Sequence, residues 1–193
     1  MKAPYPGPVR HEPLAVELHN TLYAARGGLI DGLETPEDLG AWIDALAHRL
    51  PTPAGEVDAG RRPEFLALRG AVREALHAAL GGRPVPAGAL EALNEAAARA
   101  PVSPHAVEQP DGELRAVARY HAADATDVAL AAIAADAIDL LSGPAREDLR
   151  ACTAPSCVLM FSKDHPRRKW CSASCGNRAR QARHYERSRR RRS

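Results

Sequence analysis

The apolar residues of this chain recur at helical spacing through most of its length. Leu14, Ala15, Leu18 and Leu22 share one face of a helix over residues 14–25, which Gly27 and Gly28 end. Thr35, Pro36, Glu37 and Asp38 make a helix start, with Thr as N-cap, Pro at the first helical position and acids at the positive end of the dipole. The apolar face behind it is Leu39, Trp42, Ile43, Leu46 and Leu50, and Pro51 stops it. Residues 51–63 hold Pro and Gly at short intervals and read as a connection. Phe65, Leu68, Val72, Leu76 and Leu80 stripe the next helix, over 64–80, closed by Gly81 and Gly82. A shorter helix over 89–99 turns Leu90, Leu93 and Ala97 inward and ends at Pro101.

The period then changes. Val102, His105, Val107, Leu114 and Val117 flank the turn signal Pro110-Asp111-Gly112-Glu113, which predicts a small β-hairpin. Residues 122–141 are almost all Ala, Val, Ile and Leu, with Val128, Ala131, Ala132, Ala135 and Ile138 on one broad face. That segment is expected to be the central buried helix. Ser142-Gly143-Pro144 breaks it. The pattern predicts a mainly α fold with a small β-hairpin (α+β) over residues 1–148, and a different kind of segment over 149–193.

Charge sharpens that division. Residues 151–193 hold twelve of the 26 lysines and arginines but two of the 24 acids, about +10, against about −8 for the first 150 residues. The same segment contains all four cysteines, Cys152, Cys157, Cys171 and Cys175. No apolar run approaches bilayer length, and the first residues lack the apolar centre of a signal peptide, so a cytoplasmic location and no membrane partner are expected. In a reducing compartment such cysteines are metal ligands before they are disulfides. Two close pairs, C-x4-C and C-x3-C, thirteen residues apart, suit one structural Zn²⁺ held by four thiolates. Four protein ligands leave no open position on the metal, and metal binding would supply the folding energy of so small a module. A hairpin of residues 158–161 with 168–170, around Lys163-Asp164-His165-Pro166, is expected between the pairs.

Beyond Cys175 a helix is expected, capped by Ser172 or Ser174, with Arg180, Arg183, Arg187 and Arg190 three or four apart in one stripe. That stripe, with Arg167, Arg168 and Lys169 before the second pair, suits a polyanion. Asn177 and Arg178, next to the knuckle, are the candidates for base-edge contacts, since Asn pairs with adenine and Arg with guanine. Gly176 is expected to let the chain leave the knuckle. DNA is the first partner to consider, RNA or an acidic protein the alternative. One finger buries little surface, so a homodimer is expected to raise specificity. His165, Asn177 and His184 occur in the H…N…H order of some knuckle-type nucleases, but the surroundings are basic rather than carboxylate-rich. Gly-rich phosphate loop, nucleophile elbow and paired catalytic carboxylates do not stand out, which argues against an enzyme. In the first helix, Glu17, Asn20 and Thr21 are polar residues expected to form a satisfied network or a solvated face; the alternative is a buried cluster with Arg73 that lines an effector pocket.

The run KWCSASCGNRAR, from Lys169 to Arg180, resembles the CGNR zinc-finger family, as does the upstream C-x4-C followed by a hydrophobic strand. The earlier runs LAVELHNTL, TPEDLGAWI, LRGAVREAL and LNEAAARAP resemble, in order, the ABATE domain that accompanies such fingers. The resemblance spans nearly the whole chain. It implies a treble-clef-like finger with Cys152, Cys157, Cys171 and Cys175 as zinc ligands, DNA binding by the finger, and a regulatory helical body. Glu17 and His19 depart from the family pattern, which commonly has Asp and an aliphatic residue there, and Val158 stands where an aromatic is frequent.

Overall fold

The computed structural model describes residues 4–25, 27–52, 56–121 and 124–190. Among the described residues the fold is mainly helical, with three two-stranded antiparallel sheets. α1 is Leu14–His19, β1 Leu22–Ala25, β2 Gly28–Asp31, α2 Pro36–Ala45, α3 Arg62–Leu80 and α4 Ala87–Ala98. They are followed by β3 Val102–Glu108, β4 Leu114–Tyr120, α5 Ala125–Ser142, β5 Leu149–Ala151, β6 Met160–Ser162 and α6 Ala173–Arg190. Among the described residues no helix is long and apolar enough to cross a membrane.

α5 lies at the centre, against α1, α3 and α4. Ala129, Leu130, Ile133, Ala134 and Ala137 are buried along it, apolar residues enclosed by helices on several sides. Its N-cap, Asp124, accepts from Thr126 N at 2.6 Å; the expected start at residue 122 lies outside the described residues. α2 begins with a capping box: Thr35 Oγ1 accepts from Asp38 N, and the Asp38 carboxylate accepts from Thr35 N. All five expected apolar residues of its face are buried, although regular helix ends at Ala45. On α4 the buried face is Ala89, Leu93 and Ala96, and Leu90 points outward, 45% exposed, against expectation. β3 and β4 pair as expected, from Val102↔Tyr120 to Glu108↔Leu114.

Two hairpins depart from the sequence reading. The first helix does not run to residue 25. It stops at His19, and β1 pairs with β2 from Leu22↔Asp31 to Ala25↔Gly28. The Thr21 hydroxyl donates to Leu18 O at 2.7 Å, closing the helix, and Gly28 at φ +126° begins β2 after the turn. The Gly pair therefore marks a hairpin rather than a helix end. Arg69 on α3 fixes this hairpin with a bidentate pair to Asp31, 2.6 and 2.7 Å, and a bond to Thr21 Oγ1.

The second departure is in the C-terminal segment. β6 does not pair with residues 168–170. It pairs with β5, from Leu149↔Ser162 to Ala151↔Met160, so the first cysteine pair sits in the loop inside this hairpin. Strand alternation gives β6 two jobs. Leu159, just before it, and Phe161 face a small cluster with Cys152, Cys171, Cys175 and Ala179. Met160, with Leu149, is part of the main helical core. Tyr23 of β1 packs on the cysteine cluster from the body side.

Candidate metal centre and basic helix

Two turns carry the sulfurs together. Cys157 N donates to Ala154 O at 3.0 Å, with Pro155 second in the turn and Ser156 third at φ +59°, the pattern of a type II turn. The second pair opens α6: Ser172 caps it, its Oγ accepting from Cys175 N at 3.2 Å and its carbonyl from Gly176 N at 3.1 Å. Helix thus begins before Cys175 rather than after it.

The Sγ atoms of Cys157, Cys171 and Cys175 are 3.5–3.8 Å apart, and all four sulfurs lie within 4.8 Å of one another. A tetrahedron with Zn–S bonds of about 2.3 Å has edges of about 3.8 Å. The set therefore fits one Zn²⁺, with a closed shell of protein ligands. Hydrogen bonding from Cys171 pushes the Cys157 thiol down to about 5, while the same bond together with burial pushes Cys171 up, and burial raises Cys152. Zn²⁺ binds the deprotonated sulfurs, so metal binding releases protons and affinity falls as pH falls. Arg178 Nη2 donates to Cys175 Sγ at 3.2 Å. A zinc tetrathiolate is a dianion, and this cation offsets part of its charge and orients a ligand.

The other residues of the CGNR run have equally local tasks. A Cβ on Gly176 would lie 3.0 Å from the Trp170 ring, so glycine gives room for the indole to pack on α6. It lies within the helix, and the role expected for it, release of the chain from the knuckle, is not the one it has. Asn177 Oδ1 accepts from Arg180 Nη2. Arg180 and Arg183 both lie over Trp170, 5.9 Å from its ring centroid. Arg183 and Arg187 each donate from Nε to the carbonyl four residues back, at 3.3 Å. Arg178, Arg180, Arg183 and Arg187 are exposed, as are Arg167 and Lys169 in the preceding loop.

Arg168 differs from its two neighbours. It pairs with Glu12, donates to Ser162 O at 2.9 Å and covers Phe161 at 4.8 Å. Glu12, 2% exposed, also accepts from Ser162 N at 2.8 Å. Arg168 is thus committed to clamping the cysteine segment onto the N-terminal lead-in. Neither partner carries a sequence signal, because the contact joins residues 156 apart. His165 Nδ1 accepts from Arg167 N at 3.1 Å, and His184 lies exposed on α6.

Glu17, Asn20 and Thr21 are fully buried, and each has a partner. Glu17 Oε1 accepts from Arg10 N and Glu12 N at 2.9 and 2.7 Å, shaping the lead-in; burial raises its pKa. Thr21 meets Arg69 rather than Arg73. Asn20 reaches the other segment: its Nδ2 donates to Met160 O and its Oδ1 accepts from Met160 N, both at 2.9 Å. One amide thereby completes the edge of β6. Arg73 Nη1 contacts His19 at 3.3–3.4 Å.

Comparison with known proteins agrees with these two parts. Residues 149–188 match the CGNR zinc finger. Residues 12–144 match ABATE, described as a putative stress-induced transcription regulator. Among curated proteins none matches the chain significantly. A helical body over two thirds of the chain, joined by β6 to a four-cysteine centre that opens a basic helix, makes this protein a member of the ABATE family with a C-terminal CGNR zinc finger.

Proposed function

We propose that the chain is a cytosolic transcription regulator whose zinc finger binds duplex DNA and whose helical body senses an effector or mediates assembly. The observation that carries this reading is the exposed arginine row on α6, rooted in the metal centre at its first turn. Arg180 to Arg187 spans about 10 Å of helix, a length along which duplex DNA carries roughly six phosphates. Arg180 and Arg183, resting on Trp170, are held in place; Arg187, Arg167 and Lys169 add attraction. Asn177 and Arg178 lie nearest the anchored end. Arg178 keeps further guanidinium N–H groups for a base or phosphate while one contacts Cys175.

The test is fluorescence anisotropy of the zinc-loaded protein with duplex DNA over a salt series. Saturable binding is expected. Replacing Arg180, Arg183 and Arg187 together by Ala should reduce the log–log salt slope by about 2.7, or 0.9 for each phosphate no longer neutralised. Absence of salt-dependent binding to any duplex would overturn the reading. Tighter binding to single-stranded or duplex RNA would reassign the finger to RNA.

A further inference from the structure

Arg73, His77 and Arg83 line one open cleft of about 530 Å³ between α3 and the Pro84–Pro86 segment that enters α4. Arg73 and His77 are four apart on α3 and share a face. The chain then turns back through Gly82 at φ +62°, with Arg83 N donating to Ala78 O at 2.9 Å, which returns a second guanidinium to the same cleft. Among the described residues Glu74 is the one acid in the lining, and it is exposed.

The charges here are poorly matched. Arg73 is half-buried, and among the described residues no carboxylate is in ion-pair contact with it. Asp31, the acid whose field reaches Arg73, is already taken by Arg69 in a bidentate pair. Among the described residues Arg73 makes two long contacts, both to His19 and both from Nη1, and Nε and Nη2, one arm of its fork, face no other partner there. Burial, and then the Arg69 charge, hold Arg73 below its ordinary pKa; burial, then Arg73 and Arg83, do the same to His77. A desolvated guanidinium without an anion is costly, and a two-oxygen anion matches its fork.

We propose that this cleft binds a small oxyanion, a carboxylate or a phosphate, gripped by Arg73 with Arg83 and His77 beside it. The proposal rests on the reading of the body as an effector-sensing part and names the chemical class of the effector. A route from the cleft to the finger is in place. Asn20 Oδ1 accepts from Met160 N, so the His19 Nδ1 facing it at 3.1 Å must be the protonated nitrogen of a neutral ring. His19 Nε2 is then the acceptor for Arg73 Nη1. The series runs Arg73, His19, Asn20, Met160, from cleft to β6. An anion that draws on Arg73 changes its hold on His19, and through Asn20 the seat of the finger.

The full-length, zinc-loaded protein is titrated calorimetrically with citrate and, separately, with inorganic phosphate at matched ionic strength. Saturable binding of one or both is expected, with Kd on the order of 0.1–1 mM. Which anion binds decides between the two chemistries. Arg73→Gln and the exposed Arg83→Gln should each weaken it about tenfold, the size of one charge-assisted hydrogen bond. No saturable heat from either anion up to about 10 mM would overturn the proposal. So would binding unchanged in both folded variants. In the DNA assay, saturating anion should shift affinity roughly tenfold in the wild type and not in Arg73→Gln. Anion binding with unchanged DNA affinity would remove the relay and leave the cleft. Anion binding by a protein that binds no DNA would support the cleft and overturn the reading of the finger, whereas DNA binding without anion binding would do the reverse.

Discussion

The body and the finger solve the same problem, a stable fold, by opposite means. The body buries Leu, Ala and Val between long helices, with Trp42 and Phe65 in its core, and it carries most of the acids. The finger has few apolar residues of its own; its cluster is made of cysteines with Leu159, Phe161 and Ala179, and bound metal supplies the rest. The difference shows where each part is vulnerable. Helix packing spreads its stabilisation over many contacts, while the finger concentrates it on four sulfurs. The two are nevertheless continuous at β6, where alternate residues belong to one core and then the other.

The largest expected effect breaks the finger without dissolving the body. Zinc removal by a strong chelator, or Cys171→Ser, should abolish the order of the cysteine loops and most of α6, since structural zinc is worth on the order of 10 kcal/mol. Circular dichroism should show the loss of α6 with the body helices retained. Hydrogen exchange should also report faster exchange next to Leu149 and Met160, because those side chains sit in the body core. A body untouched at that seam would mean that the two cores are independent.

A smaller effect breaks the seam itself. Asn20→Ala leaves both the N–H and the C=O of Met160 buried without this partner, a cost of about 2–5 kcal/mol. Urea unfolding should show the loss with the zinc site still loaded. A change below about 0.5 kcal/mol, the scatter of an ordinary surface substitution, would show that the amide contributes nothing to docking.

The smallest effect sharpens the comparison through pH. Burial, then the Arg73 charge, push His19 down to about 3, whereas in the unfolded chain it titrates near 6.5. Its contribution is complete above pH 6.5, where both states are neutral. It shrinks as pH falls, because the unfolded chain takes up a proton that the fold refuses. The loss is about 1.4 kcal/mol per pH unit below 6.5. Urea unfolding at pH 7.5 and 5.5 should show this, and His19→Gln should flatten the dependence by that amount. An equally steep variant would exclude His19 as the source.

The faces of α2 and α3 are readable in the sequence because periodicity is a local property; Leu39, Trp42 and Ile43, like Phe65, Leu68, Val72 and Leu76, sit where their spacing puts them, while Leu90 of α4 does not. The cysteine set was readable for the same reason, its spacing being fixed by metal geometry. What escaped was non-local. β1 and β2 are four residues each, and Leu22 happens to continue the helical spacing of α1. β5 and β6 are three residues each and meet across the cysteine loop, so pattern alone favoured a pairing further on. Arg168 is indistinguishable from Arg167 and Lys169 in sequence, and turns inward because Glu12 waits there. Asn20 fits the expectation of a satisfied polar residue, but its partner, the backbone of Met160, lies 140 residues away and leaves no local signal.

The two-sided strand β6 has a consequence for anyone who wishes to separate the parts. A cut between Asp148 and Leu149, where the two sequence signatures divide, would pass through shared packing. The released finger would carry Leu149 and Met160 on an uncovered edge, inviting self-association. The truncated body would keep a vacancy, with Asn20 facing it unmated. Transplanting this finger to another protein would require bringing α1 and the lead-in up to Glu12 along with it, so the smallest portable unit is discontinuous in the chain.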